Sequence, residues 1–355
     1  MAKKKILYIT NIQAPYRVSF FSELSGKCDL TVLYERSQSD NRDDTWANSC
    51  MNKEYKQFVL DGIKIGNESS FSLKILRFIT GHKYDAIILG CYSSPVQIFA
   101  NYIMRLTGQK FIINSDGEVF ANGNTLKNKI KRTVLRGADS YLIAGEKSAE
   151  NLRKIVGDKK VIPYYFSSLS DNDIIRNSRM ANSQREDFIL VVGQYFDYKG
   201  LDVAVKVARE MPNQKFKFVG MGKRTNLFTE ECHTSELKNV EVIPFMRKEE
   251  LFEEYRICKC LLLPTRKECW GLVVNEAASF GTPIISTYGS GAAVEFLEDS
   301  FPHLLAIPGD SDSLKGCITA LENTKYPKYT NYLLEVSKKY SVERSVTMHL
   351  NAIFD

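Results

Sequence analysis

The sequence predicts an α/β protein made of two doubly wound, Rossmann-like halves in series. Three observations predict it. Short continuous apolar runs alternate with segments of helical periodicity along nearly the whole chain. The alternation halts over one polar stretch, residues 167–187, and then restarts. The length, 355 residues, suits two domains of about 100–200 residues each. Unbroken apolar strands separated by helices imply parallel sheets covered on both faces.

The first half reads as strands at Lys5–Thr10, Asp29–Tyr34, Lys56–Leu60, Asp85–Gly90, Lys110–Asn114, Asp139–Ala144 and Lys160–Pro163. Helical spacing links Val18, Phe21 and Leu24, then Leu73, Leu76 and Ile79, then Ile98, Tyr102 and Leu106. Ser167–Asp187 is polar and is the best linker candidate. Beyond it, strands are expected at Phe188–Gly193, Lys215–Gly220, Val240–Pro244, Cys260–Pro264, Pro283–Ser286 and Leu304–Pro308. Helices are expected near Leu201–Glu210, Lys248–Arg256, Leu272–Phe280, Ala292–Glu298 and Ser311–Glu322. Gly281 stops a helix and Pro283 opens the next strand. Lys325–Asp355 reads as one or two helices, with Leu333, Val336 and Tyr340 on one face. The expected domains are 1–170 and 185–330, with a helix at about 335–355 packing back on the first. Ligands bind such sheets beyond the carboxyl ends of the strands, and two facing halves would leave a cleft.

Composition narrows the function. Hydrophobic residues are 44% and charged residues 25%, which excludes wholesale disorder. No apolar run approaches the ~20 residues of a spanning helix. The apolar run after Lys3–Lys5 is too short for a secretory leader, so a cytosolic chain is expected. The eight cysteines include no CxxC pair, which argues against a zinc ribbon or thioredoxin-type site and for reduced thiols. The net charge of +6 is too mild for a nucleic-acid binder but suits a protein that handles phosphates or meets an anionic membrane. Lys127, Lys129, Lys131, Arg132 and Arg136 share a helical stretch with Leu126, Ile130 and Val134. That helix could lie on an anionic membrane surface, or pack its apolar stripe on the sheet.

The strongest local signal is Glu268-Cys-Trp-Gly-Leu-Val-Val-Asn-Glu276, which follows a strand and opens a helix. Gly271 permits close backbone approach, and the amides of Gly271, Leu272 and Val273 would face an anion at a helix N-terminus. Glu268 and Glu276 would reach different parts of one ligand, accepting hydrogen bonds from ribose or sugar hydroxyls. The plainer reading is a capping Glu and a surface Glu. The run continues through Gly281-Thr-Pro283-Ile-Ile-Ser286 to Gly289-Ser-Gly291. As a whole it resembles the donor-binding signature of the retaining GT-B glycosyltransferases of family 4 (glycosyl transferases group 1). Its wording looks like the branch that builds bacterial surface polysaccharides.

Other segments agree with the resemblance. Gly193-Gln-Tyr-Phe-Asp-Tyr-Lys199-Gly200 is similar to the family's strand, loop and Lys-Gly turn. The resemblance implies that Lys199 pairs with the donor diphosphate. The family's usual Arg is Gln194 here, which removes one positive charge from the expected clamp. Gly220-Met-Gly222 resembles the strand-Gly-x-Gly loop, and Phe245-Met246 the element whose backbone contacts the nucleobase. As a dinucleotide fingerprint the glycine loop fails, because Thr225 occupies its third glycine position. Asn11, Pro15, Tyr16 and Arg17 resemble the first loop of the polysaccharide-type members, which lines the acceptor side of the cleft; Arg17 is either an anion contact or a surface helix-start residue. Many members carry a His after the strand ending at Asn114; Asp116 stands there and is the expected substitute, or merely part of a turn. Asp310-Ser-Asp312 spells a metal-binding motif of the other glycosyltransferase fold, but its position explains it as helix capping.

The resemblance thus implies a GT-B fold, two Rossmann-like domains facing across a cleft. It implies transfer of a sugar from a nucleotide-diphosphate co-substrate, UDP-linked by family habit, to a saccharide or lipid-linked saccharide, with retention. Glu268, Asp116 and Lys199 are the expected catalytic residues. The expected donor set is Gly193, Gln194, Lys199, Gly220, Gly222, Phe245, Met246, Glu268, Trp270, Gly271, Leu272, Val273 and Glu276. No metal, no cofactor and no nucleic-acid partner are expected, and the location would be cytoplasmic, peripheral on the inner membrane face. An epimerase or phosphorylase on the same fold fits less well. A catalytically degenerate nucleotide-sugar-binding scaffold is the alternative.

Overall fold

The computed structural model describes residues 3–37, 54–65, 69–81, 83–117, 125–181 and 184–354. Two units emerge, one of residues 1–166 with 342–355 and the other of residues 167–341.

In the first unit a seven-stranded parallel sheet runs in the order β3 (Lys56–Val59), β2 (Asp29–Tyr34), β1 (Lys5–Thr10), β6 (Ala86–Leu89), β7 (Ile112–Ser115), β8 (Ser140–Ala144), β9 (Lys160–Tyr164). A small antiparallel ribbon, β4 (Ile63–Ile65) and β5 (Ser69–Phe71), stands apart and has no apolar run to announce it. Helices α1 (Pro15–Lys27), α2 (Ile75–Gly81), α3 (Pro95–Leu106), α4 (Leu126–Leu135) and α5 (Glu146–Val156) connect the strands. One face of the sheet packs Leu7, Ile9, Ile87 and Leu89 with Ile75, Ala100 and Met104. The other packs Ile6, Tyr8 and Val32 with Phe20, Phe21 and Leu24 of α1.

In the second unit, α6 (Asp171–Arg179) leads into a six-stranded parallel sheet. Its order is β12 (Val240–Ile243), β11 (Lys215–Val219), β10 (Glu186–Val192), β13 (Cys258–Leu263), β14 (Ile284–Thr287), β15 (Leu305–Ala306). The helices are α7 (Leu201–Glu210), α8 (Thr225–Glu231), α9 (Lys248–Ile257), α10 (Leu272–Ser279), α11 (Gly291–Leu297), α12 (Ser311–Glu322) and α13 (Tyr326–Ser337). Here β10 is flanked by β11 and β13, so the strand order reverses between β10 and β13, where open α/β sheets bind ligands. A final helix, α14 (Val342–Phe354), belongs to the first unit and packs on α1.

Three details depart from the sequence reading. The polar stretch at 167–187 is not a plain linker, because Ser170 caps α6 and Asp173 completes a reciprocal capping box. In α3 the buried face is Val96, Ala100 and Met104, whereas Tyr102 and Leu106 are exposed. That helix is apolar on several sides, so spacing alone selects no face. Leu73 precedes α2 and is exposed; Ile75 buries in its place, beside Ile79 as expected.

Candidate active site

The second unit gathers the sequence-predicted donor residues at the carboxyl edge of its sheet. Four successive loops are tied together there by backbone bonds. Gly193 N–H donates to Val219 (2.9 Å), Gly220 N–H to Ile243 (3.2 Å) and Gly222 N–H to Pro244 (2.8 Å). The carbonyl of Tyr198 accepts from the Arg266 and Lys267 amides (2.8 and 3.1 Å) and from the Thr265 hydroxyl (2.9 Å). The loop after β10 is thereby fastened to the loop after β13, across the point where the strand order reverses.

Gly200 makes this approach possible. It has φ +66°, and a Cβ there would stand 2.1 Å from the Pro264 carbonyl oxygen. The close packing sets Lys199 beside Glu268, and Lys199 Nζ donates to both carboxylate oxygens at 2.7 and 2.6 Å. Each side chain is about one-fifth exposed (20% and 18%), so the pair still meets solvent. Beside it, Arg266 grips Asp202 with two bonds of 2.7 and 2.6 Å, and Arg266 also donates to the Asp197 carbonyl (2.7 Å). This brace has a faint sequence signal, an acid three residues after Lys199 and a base just past a strand end.

Gly271 caps α10 at φ +106°, and by helix geometry the first amides of α10 lack intrahelical acceptors. Glu276 lies one and a half turns on. Its carboxylate accepts from Ser168 Oγ (3.0 Å) and the Tyr255 hydroxyl (3.2 Å), and burial pushes its pKa up. Trp270, expected to line the donor site, turns inward instead. It is 2% exposed, its indole N–H donates to Asn275 Oδ1 (2.8 Å), and its ring lies 6.0 Å from Tyr340. Its contribution is to packing beneath the site. Phe245 is exposed and Met246 half-buried, at the turn after β12.

The first unit places its own predicted residues in a different relation from the one expected. Arg17 is not a free anion contact, for it is 4% exposed and ion-paired with Asp116. Its guanidinium also donates to Tyr8 Oη (3.0 Å) and sits among the rings of Tyr8, Phe20 and Phe166. The Tyr164 hydroxyl donates to the same Asp116 oxygen, Oδ1, at 3.0 Å. Burial holds Tyr164 well above the usual phenol range, so it stays a neutral donor. Sequence spacing offered no hint of this pairing, because residues 17, 116 and 164 meet only through the sheet. Asn11 is exposed; Pro15 starts α1, and Tyr16 packs on Phe166 at 5.6 Å.

No group of metal ligands occurs among the described residues. The buried cysteines 28, 232, 258, 260 and 317 are free thiols.

Two Rossmann-like halves of this kind make up the GT-B fold. Residues 173–339 match the family described as Glycosyl transferases group 1. The chain is 28% identical over 243 residues to an uncharacterized glycosyltransferase of Methanocaldococcus jannaschii, covering 63% of this chain and 69% of that protein. It is 26% identical over 185 residues to the O-antigen chain mannosyltransferase C of Escherichia coli, covering 50% of this chain and 48% of that one. The fold is similar to that of Anabaena HepE, solved in complex with UDP-glucose, with a TM-score of 0.70, 16% identity and coverage of 98% and 99%.

Proposed function

We propose that the chain moves a sugar from a nucleotide-diphosphate sugar, UDP-linked, onto a saccharide or lipid-linked saccharide with retention of anomeric configuration. Synthesis of a capsule, O-antigen or exopolysaccharide is the setting that fits. The observation that carries the reading is the Lys199–Glu268 contact with Glu276 in the next helix, all at the switch point of the second sheet. In this reading Lys199 and the first amides of α10 hold the diphosphate and stabilise the charge of the leaving nucleotide. Glu268 accepts from sugar hydroxyls and keeps Lys199 aimed until the donor arrives. Glu276 takes the ribose, using lone pairs that Ser168 and Tyr255 leave free. Asp116, fixed through one oxygen, orients an acceptor hydroxyl with the other. No protein nucleophile, metal or cofactor takes part; the acceptor attacks on the face the nucleotide vacates. The O-antigen relative and the UDP-glucose complex of a fold neighbour support the substrate class.

A membrane-facing role for α4 belongs to the same proposal. Leu126 and Ile130 are exposed beside exposed Lys129, while Val134 is buried and anchors the helix. Arg136 is committed to the Ile155 carbonyl (3.0 Å), and Lys131 lies 5.8 Å from the Tyr92 ring. The Lys127 side chain lies outside the described residues. The surface left is basic and apolar, which suits an anionic membrane carrying a lipid-linked acceptor.

The test is a thermal-shift panel of nucleoside diphosphates and their sugars on the native chain and on Glu276→Ala. One nucleotide should raise Tm in the native chain, and the variant should lose that rise relative to its own unliganded Tm. Absence of any shift in the native chain would reject the nucleotide-sugar reading.

A further inference from the structure

We propose that Arg224 is a second cationic contact for the donor diphosphate, delivered to the loop after β10 by the ring of Phe196. The inference rests on the nucleotide-diphosphate reading above and adds a residue to it.

Charge accounting at the sheet edge leads to Arg224. Lys199 is engaged by Glu268, and Arg266 by Asp202, so each of these pairs is neutral as it stands. A diphosphate gains from such a pair only by displacing or sharing the carboxylate. Arg224 is held differently. It ends the short turn Gly222–Arg224 that follows β11, and its guanidinium carbon lies 4.1 Å from the centre of the Phe196 ring. One N–H donates to the Tyr195 carbonyl at 3.3 Å. No described carboxylate forms an ion pair with it. A stacked guanidinium keeps its edge donors, which match phosphate oxygens in pairs.

The supports of Arg224 are themselves fixed. The Tyr195 hydroxyl donates to Glu231 at 2.6 Å. Phe196 stacks on Tyr198 at 5.5 Å with planes 14° apart, and Lys199 Nζ lies 5.7 Å from the Tyr198 ring. Two rings and a cation of the loop after β10 are therefore lined up with a second cation from the turn after β11. The turn carrying Arg224 also abuts the start of that loop: a Cβ on Gly220 would lie 3.7 Å from Gly193 N. Arg224 and Lys199 both lie against the loop after β10, and half-burial of Arg224 limits the entropy lost when it binds an anion.

The experiment is calorimetric titration of UDP, GDP and ADP, with the matching monophosphates, into the full-length chain. The variants are Arg224→Gln, Arg224→Lys and Phe196→Leu, each checked for a cooperative melt. For the diphosphate that binds the native chain, Arg224→Gln should weaken Kd about tenfold. The loss should shrink as salt is raised, and the monophosphate should lose less. Arg224→Lys should recover part of the affinity. Phe196→Leu, which keeps the charge but removes its support, should fall between. Unchanged diphosphate affinity in Arg224→Gln would overturn the proposal. So would equal losses for di- and monophosphate, which would mean that Arg224 only stiffens the loop. If no nucleotide binds the native chain, the donor reading fails and this inference fails with it.

Discussion

Lys199 and Glu268 neutralise each other in the unliganded protein, and that contact sets what each substitution does. In the proposed reading, removing Glu268 frees Lys199 to swing and strips a sugar contact, so the loss falls on turnover more than on folding. Glu268→Ala should lower turnover of the nucleotide sugar about 100-fold, followed as release of free nucleotide. Unchanged turnover would remove Glu268 from the chemistry. Glu268→Ala and Lys199→Met should combine to much less than the product of their separate losses, because each acts through the other. His349 of α14 is a different case. It is fully buried, lies 4.4 Å from the Tyr164 ring and 4.7 Å from Phe20, and its Nδ1–H donates to the Ser345 carbonyl (2.7 Å). Burial, chiefly, and the nearby Arg17 charge hold its pKa down at about 3 against an ordinary 6.5. The unfolded chain therefore binds a proton at that histidine below pH 6.5 that the folded chain refuses. Stability from this group is whole above that pH and falls as pH drops toward 3. The slope approaches about 1.4 kcal/mol per pH unit. Urea melts at pH 7 and pH 5 should show His349→Phe losing less stability on acidification than the native chain.

Among the elements, the turn into α7 governs the proposed donor site most directly. Gly200 sits at φ +66° with the Pro264 carbonyl where a side chain would go, so Gly200→Ala must push the loops after β10 and β13 apart. The expected cost is about 2–4 kcal/mol, read as a lower urea midpoint, together with loss of nucleotide binding. A well-folded variant that binds normally would show that the approach of these loops is not needed. Much of this unit was legible beforehand. The sequence placed α7 and α12 at the bounds the structure shows, because Gly200 and the capping Asp310 mark where they start. The face of α3 was not legible, since Val96, Ala100 and Met104 compete with Ile98, Tyr102 and Leu106 and only the sheet chooses. Helix α6 was missed because its stabilisation comes from a Ser170–Asp173 capping box and a polar contact, Asn177 to Ser279 (2.9 Å), rather than an apolar stripe.

For the molecule as a whole, the charge is modestly positive and the exposed apolar residues Leu126 and Ile130 lie on a basic helix. No described helix is long and apolar enough to cross a membrane. In the proposed setting the protein should float with vesicles of anionic lipid and not with neutral ones. Leu126→Ser with Ile130→Ser should reduce that binding several-fold while nucleotide binding stays intact. Equal flotation of the double variant would remove α4 from any membrane contact.

The sequence by itself determined two Rossmann-like halves and the glycines that let the loops at the second sheet's carboxyl edge approach each other. These are local properties: strand and helix period, breakers, and a motif whose residues lie within nine positions of each other. Tertiary structure alone decided that Arg17 neutralises Asp116, that Tyr164 shares the same oxygen, that Trp270 faces the core and that Arg224 rests on Phe196. Each of these joins residues from separate elements or sets a side chain by its surroundings. Such outcomes depend on which strands lie side by side and how closely backbones approach, and no spacing along the chain encodes that.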